Sequence, residues 1–398
     1  MAACNFVFIL GSFIASPDRD PEPTHMQTQT RRRQLATTSK PRAIACSASI
    51  VFGILFLDIG LKDIGHPGVS SIFAGTFVEF GSSLVETKSS LVDGGLWVTP
   101  AAITVATSLL TCAAVLSGIE VALSRHDRWR AAAGMTAGTF LFAFIASAGT
   151  GIRNHLLVSI IIFAAAYLAA RIYISGSGYR LPVQALIGGG VVGAGFLAWV
   201  VVVQSARRGD FSFARVGATL DYLRSWFAGY LPALSQWSSD ADFEGGIPGV
   251  NLLRGVLTPL GLADGEGFSE QIRVISIGDG ATSNAMTIFR VLILDFGYVG
   301  SIVVCAAAGF ISQRIYQRVA NGYPDALVPL AAVYAASFYS INYWFFAYGS
   351  RIAGAVLGFV VFVYSVRNGS ADRRAAVSQA AGHIARGGAR PSGGREVL

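Results

Sequence analysis

Long apolar runs alternate with short polar breaks along most of the chain. A helix needs roughly 20 mostly apolar residues to cross a hydrocarbon core of about 30 Å. Runs of that kind lie near 43–61, 98–124, 131–148, 155–173, 183–204, 286–311, 326–348 and 352–367, each bounded by Arg, Pro, Gly or Asp. Residues 5–16 are apolar but too short to cross comfortably. Residues 69–86 mix Phe, Gly and Ser with Glu79, a pattern that predicts a re-entrant or interfacial helix. Alternating ten-residue strands would not give continuous runs this long, so the pattern disfavours a β-barrel. The expectation is an all-α polytopic membrane protein of about 8–10 transmembrane helices, with one large external loop containing an amphipathic helix.

Composition narrows this further. Of 398 residues, 53% are hydrophobic and 13% charged. Soluble domains carry about 25% charge, so too little polar surface is left to cover a water-soluble globule. The same numbers exclude a disordered chain, and 4 cysteines exclude a disulfide scaffold. Cys46, Cys112 and Cys305 fall inside apolar runs and read as small core residues. The net charge of +7 reads first as a topology signal, not as a footprint for nucleic acid.

Basic residues in short loops set the orientation. Arg31, Arg32, Arg33, Lys40 and Arg42 precede the first full span, and Arg125, Arg128 and Arg130 lie between the second and third. Arg171 and Arg180 follow the fourth, Arg314 and Arg318 the sixth, and Arg367, Arg373, Arg374, Arg386, Arg390 and Arg395 crowd the tail. Eight crossings from a cytoplasmic start place every cluster on the cytoplasmic side. The outside then receives 62–97, 149–154, the long loop 205–285 and the turn around Arg351. The expected division is an N-terminal segment 1–42, a bundle over 43–204, the periplasmic loop 205–285, C-terminal helices over 286–367 and a disordered cytoplasmic tail 368–398. Residues 5–16 read as a clipped signal, a weak ninth span or sequence upstream of a start at Met26.

The loop 205–285 is the one sizeable polar region. It opens with Arg207, Arg208, Asp210 and Arg215 close to the membrane face. Val216, Leu220, Leu223, Phe227 and Leu231 then recur at helical spacing up to Pro232, with Asp221 and Arg224 off that stripe. Trp226, Tyr230 and Trp237 fit either an interfacial belt or a sugar-binding groove. Arg153 sits in a short external turn, where the basic-residue bias should deplete it, and Arg290 and Asp295 lie inside an apolar run. Charge at such depth usually faces a bundle interior or an aqueous cavity. An Arg290–Asp295 ion pair is the plain structural alternative, although a five-residue offset fits helical neighbours poorly.

Guanidinium forks match pyrophosphate oxygens and keep their charge. Several on one membrane face predict an anionic, phosphate-bearing ligand. Asp210 and Asp221 are candidate general bases, and His155 is a third, kept neutral beside cationic groups unless it only caps its helix. Asp240, Asp242 and Glu244 form an acidic run of a kind that can hold a divalent metal, but one such run in a loop reads first as a solvated turn. Gly189 and Gly193 predict a close helix-packing surface. There is no phosphate loop, Cys-x-x-Cys pair or His-Glu-x-x-His site, and no internal repeat.

Three stretches together resemble the O-antigen polymerase (oligosaccharide repeat-unit polymerase) family of bacterial inner membranes. They are Gly149-Thr-Gly-Ile-Arg-Asn-His-Leu-Leu, the arginine-bearing start of the loop from Arg207 to Arg215, and Ser283 to Gly300 with its Asp295-Phe-Gly297. The resemblance runs over roughly 145–366. It implies a periplasm-facing glycosyltransferase acting on polyprenyl-pyrophosphate-linked (undecaprenyl) sugars as donor and acceptor. By that resemblance Arg153, Arg207, Arg208, Arg215 and Arg290 gather around the donor pyrophosphate, a carboxylate or His155 takes the acceptor proton, and Asp295 and Gly297 orient substrate or structure. It implies no nucleotide, metal or other cofactor, and a chain-length regulator and a flippase as partners. The alternatives are a lipid-linked-oligosaccharide ligase, a transporter or flippase with charge along its midplane, and a receptor whose loop only binds ligand.

Overall fold

The computed structural model describes residues 25–36, 39–66, 68–71, 100–124, 128–150, 154–176, 179, 183–208, 217, 220, 229–240, 248–262, 275–278, 281–283, 287–340 and 344–387. Side chains at 25, 32–34, 36, 184–186, 192, 203–208, 230, 239, 240, 259, 275–283 and 369–387 are outside that description. The chain is built from helices: α1 (His25–Ala36), α2 (Ser39–Asp63), α3 (Ala101–Leu123), α4 (Trp129–Thr150), α5 (Asn154–Ser175), α6 (Val183–Arg208), α7 (Tyr230–Asp240), α8 (Arg254–Leu257), α9 (Ile288–Ala320), α10 (Leu327–Tyr339) and α11 (Gly349–Gly387). Strands Ile275–Gly278 and Ala281–Ser283 form a small antiparallel hairpin within the predicted loop.

Among the described residues, 6 helical stretches are long and apolar enough to cross a membrane: α2, α3, α4, α5, α9 and Gly349–Asn368 of α11. The protein is therefore a multi-pass helical membrane protein. The other two predicted spans differ. In α6 the apolar stretch is Ile187–Val202. The run 326–348 is not one helix: α10 has 13 residues, about 20 Å of rise, and a separate 3₁₀ turn, Phe345–Ala347, follows.

Contacts fix the alternation of directions. Arg42 of α2 meets Glu120 of α3, whereas Gly60 near the end of α2 abuts Ile103 near the start of α3, so the two run antiparallel. Gly354 and Gly358 of α11 lie on Ser108, Thr111 and Val115 of α3, a parallel pair. An added Cβ at Gly354 would strike the Ser108 carbonyl, so the glycine lets the two backbones close up. Gly189 and Gly193 play no such part among the described residues: they are exposed, with nothing described within 4 Å of an added Cβ, which corrects the predicted packing surface there.

The helix ends consequently sort into two sets. At one, the basic end, Arg31 donates to the carbonyls of Tyr173 (3.2 Å) and Ala320 (2.6 Å), capping the last turns of α5 and α9. Arg42, fully buried, pairs with Glu120 at 2.5 Å and donates to the Leu35 carbonyl. The main core joins α3, α5, α10 and α11 through small and apolar residues such as Ala165, Ala166, Leu327 and Phe362.

Helix α11 continues through Gly387, beyond the predicted end at 367 and into the stretch expected to be disordered. Ala371, Ala375, Ala376, Ala380, Ala381 and Ala385 supply the helix propensity. Pro232, read as a helix stop, stands third in α7, where a missing N–H costs nothing. Most of the predicted amphipathic helix before it, and the predicted re-entrant segment after residue 71, lie outside the described residues.

Candidate functional site at the loop end

The opposite set of helix ends is tied together by a continuous series of polar contacts. The first amide of α9, Ile288 N, donates to Ser340 O just past α10. Tyr339, the last residue of α10, accepts at its hydroxyl from Asn154 Nδ2 at the start of α5 and from Arg351 Nη2 at the start of α11. Trp344 Nε1 donates to Leu252 O at 2.6 Å, which brings in the segment 248–262. That segment sits on α11, where Gly255 packs against the Phe346 carbonyl and Gly349.

Asp295 anchors the same segment from below. Its Oδ1 accepts from Asn251 N (3.1 Å) and Asn251 Nδ2 (2.7 Å), and its Oδ2 from Leu252 N (2.7 Å). The carboxylate is thus spent on the loop and not on Arg290. Two residues on, Gly297 adopts φ +65 and ψ −176 inside α9, a conformation essentially restricted to glycine. It breaks α9 into a short piece bearing Arg290 and Asp295 and a longer piece running to Ala320. The Asp-Phe-Gly sequence is therefore a loop anchor followed by a kink. The longer piece alone rises about 34 Å, enough to span, so the short piece need not be deep in the bilayer.

Among the described residues three arginines are buried in this region; the sequence pattern made Arg290 a site candidate, placed Arg351 only in an outside turn, and did not mark Arg254. Arg290 is 5% exposed and stacks on the Trp237 ring of α7, 5.0 Å to its centre. Arg254, in α8, is also buried. Arg351 is 7% exposed and lies 4.2 Å from the Tyr348 ring centre, 4.5 Å from Tyr339 and 5.3 Å from Phe345. Its Nη1 donates to Phe345 O at 3.2 Å, and no carboxylate pairs with it among the described residues. A cation desolvated among rings gains about 2 kcal/mol, which leaves its charge uncompensated and attractive to an anion. Burial pushes the Tyr348 phenol upward against the opposing pull of Arg351, so it stays protonated at neutral pH. The one signal for Arg351 was the aromatic run Trp344-Phe-Phe-Ala-Tyr348 just before it; nothing in the sequence marked Arg254.

Of the remaining predicted residues, His155 is half-buried, second in α5, beside the Asn154–Tyr339 contact. Arg207 and Arg208 form the last turn of α6. The C-terminal half of that helix packs on this end, through Phe196 and Val200 on Leu156, Leu157 and Ile160 and through Trp199 on Phe144. Arg153, Asp210, Arg215, Asp221, Asp242 and Glu244 lie outside the described residues. Asn154 Oδ1 and Thr287 Oγ1 are buried here without a hydrogen-bond partner among the described residues. Buried polar atoms seldom stay unpaired, so the region suits a polar ligand. No protein-family model, curated protein or solved structure matches the chain.

Proposed function

We propose that the loop end is the catalytic face of a membrane glycosyltransferase that polymerises polyprenyl-pyrophosphate-linked oligosaccharide repeat units. The observation that carries this reading is the burial of Arg254, Arg290 and Arg351, the last two against aromatic rings, at the end opposite the exposed basic clusters. By the positive-inside bias the loop end faces outward, into the periplasm of a bacterial inner membrane.

In the reaction, an acceptor sugar hydroxyl attacks the anomeric carbon of the donor. The bond from that carbon to the pyrophosphate oxygen breaks, and polyprenyl pyrophosphate leaves with the electron pair. Guanidinium groups aimed at the departing oxygens stabilise the charge that develops there, and such preorganised charge is often the largest catalytic contribution. In this reading His155 accepts the acceptor proton, a choice supported by the engagement of Asp295 with Asn251 and Leu252. Arg153 precedes Asn154 directly and joins the same cluster in this reading, together with Arg207, Arg208 and Arg215. Asp210 and Asp221 remain the carboxylate alternatives.

The test is polymer formation in cells lacking the native gene, complemented with Arg153→Ala, Arg290→Ala and Arg351→Ala. Each variant is expected to reach the membrane and leave single-repeat chains. Wild-type chain length in all three would overturn the assignment, and complete loss of surface glycan, including single repeats, would point instead to a ligase.

A further inference from the structure

We propose that a groove between α2 and α11 at the basic end is a binding site for one anionic phospholipid of the leaflet on that side. The groove encloses ≈ 520 Å³ and is lined by Lys40, Pro41 and Ile44 from α2 and by Val360 and Tyr364 from α11. Its origin is the way both helices lean on α3. Arg42 reaches inward to Glu120 and to Ser365 Oγ (3.5 Å). Gly354 and Gly358 draw α11 onto α3 beside α2. The outer sides of α2 and α11 are left with a trough between them, and Ile44 (70% exposed), Val360 (55%) and Tyr364 (61%) face outward along it.

Apolar walls with a lysine and a tyrosine at one end match a lipid: acyl chain along the trough, headgroup at its mouth. The charge of Lys40 stands at the mouth. Lys40 has no carboxylate against it among the described residues, and the nearby Glu120 is taken by Arg42. Arg128 approaches the same turn, donating to Ser39 Oγ at 2.9 Å, and Arg367 is exposed one turn beyond Tyr364. A second copy of the chain docked on this face would set one Lys40 against another, whereas a phosphodiester carries the single charge that matches it. The groove lies at the far end of the bundle from the loop-end arginines, so its occupant is distinct from any ligand held there.

The full chain in detergent, loaded with phosphatidylglycerol or phosphatidylcholine and examined by native mass spectrometry, tests this. The expected result is one retained phosphatidylglycerol, bound on the order of tenfold more tightly than phosphatidylcholine. Lys40→Glu should erase that preference, Lys40→Arg should keep it, and Val360→Trp, which fills the trough, should lower retention of both lipids. Thermal melting of each variant confirms that it is folded. Equal retention of the two lipids, an unchanged preference in Lys40→Glu, or a dimer abolished by Val360→Trp would each overturn the proposal.

Discussion

Replacing Asp295 by Asn separates an anchoring role from a catalytic one. The carboxylate receives three hydrogen bonds, from Asn251 N, Asn251 Nδ2 and Leu252 N, and is 4% exposed. Hydrogen bonds to a charged group contribute about 1.5–3 kcal/mol each. An amide oxygen can still accept from one side, but its NH₂ group faces a donor on the other, and Asn251 and Leu252 are half-buried, so water softens the loss. The net cost of holding 248–262 in place is then about 2–4 kcal/mol, or roughly 30- to 1000-fold faster local opening. Hydrogen–deuterium exchange of the purified protein reads this directly. Peptides covering 248–262 should exchange faster in Asp295→Asn, while those from α5 should not change. Because this segment carries Arg254 and seats Gly255 on α11, polymer formation should fall in parallel with the loss of protection. Unchanged exchange at 248–262 combined with lost polymer would refute the anchoring role and make Asp295 a participant in the chemistry.

Other expectations concern stability. Gly297→Ala places a Cβ at φ +65 and should cost about 1–3 kcal/mol, seen as a lower melting temperature in detergent. No change in melting would show that the kink is not held. Arg42→Ala leaves Glu120 buried without its partner and should cost about 3–5 kcal/mol, whereas Arg42→Met combined with Glu120→Leu should melt closer to the wild type than either single change. His66 is buried, and burial lowers its pKa, so the unfolded chain binds its proton more readily. Its contribution is full above the unfolded value of about 6.5 and is lost as pH falls through the lower folded value. His66→Gln should therefore flatten the fall in melting temperature between pH 7 and 5, and an identical slope would count against it.

Most of the membrane architecture is readable from runs of apolar residues, because a 20-residue stretch without charge has few other uses. What hydropathy cannot register is where a helix stops inside an apolar stretch. Tyr339 and Phe345 lie in one apolar run, yet α10 ends at the first and a separate turn holds the second. Likewise Gly297 sits in an apolar run like Gly189, and only backbone geometry distinguishes a kink from an exposed helical position. The site was half legible. Arg290 and Asp295 stood out as charges among apolar residues, but their roles diverged, one stacked on Trp237 and the other binding Asn251 and Leu252. Arg351 is surrounded by Tyr339, Phe345 and Tyr348 because the chain turns between α10 and α11, and Arg254 lies in a segment that Gly255 seats on the distant α11; hydropathy encodes neither.

Reconstitution bears most directly on the proposed activity. The purified full chain in proteoliposomes, given the lipid-linked repeat unit extracted from cells lacking the gene, should yield a ladder of products spaced by one repeat. Polyprenyl pyrophosphate should be released in step with each bond formed, and both signals should vanish in Arg290→Ala. A folded protein that gives no ladder, or a ladder indifferent to Arg290→Ala, would contradict the account.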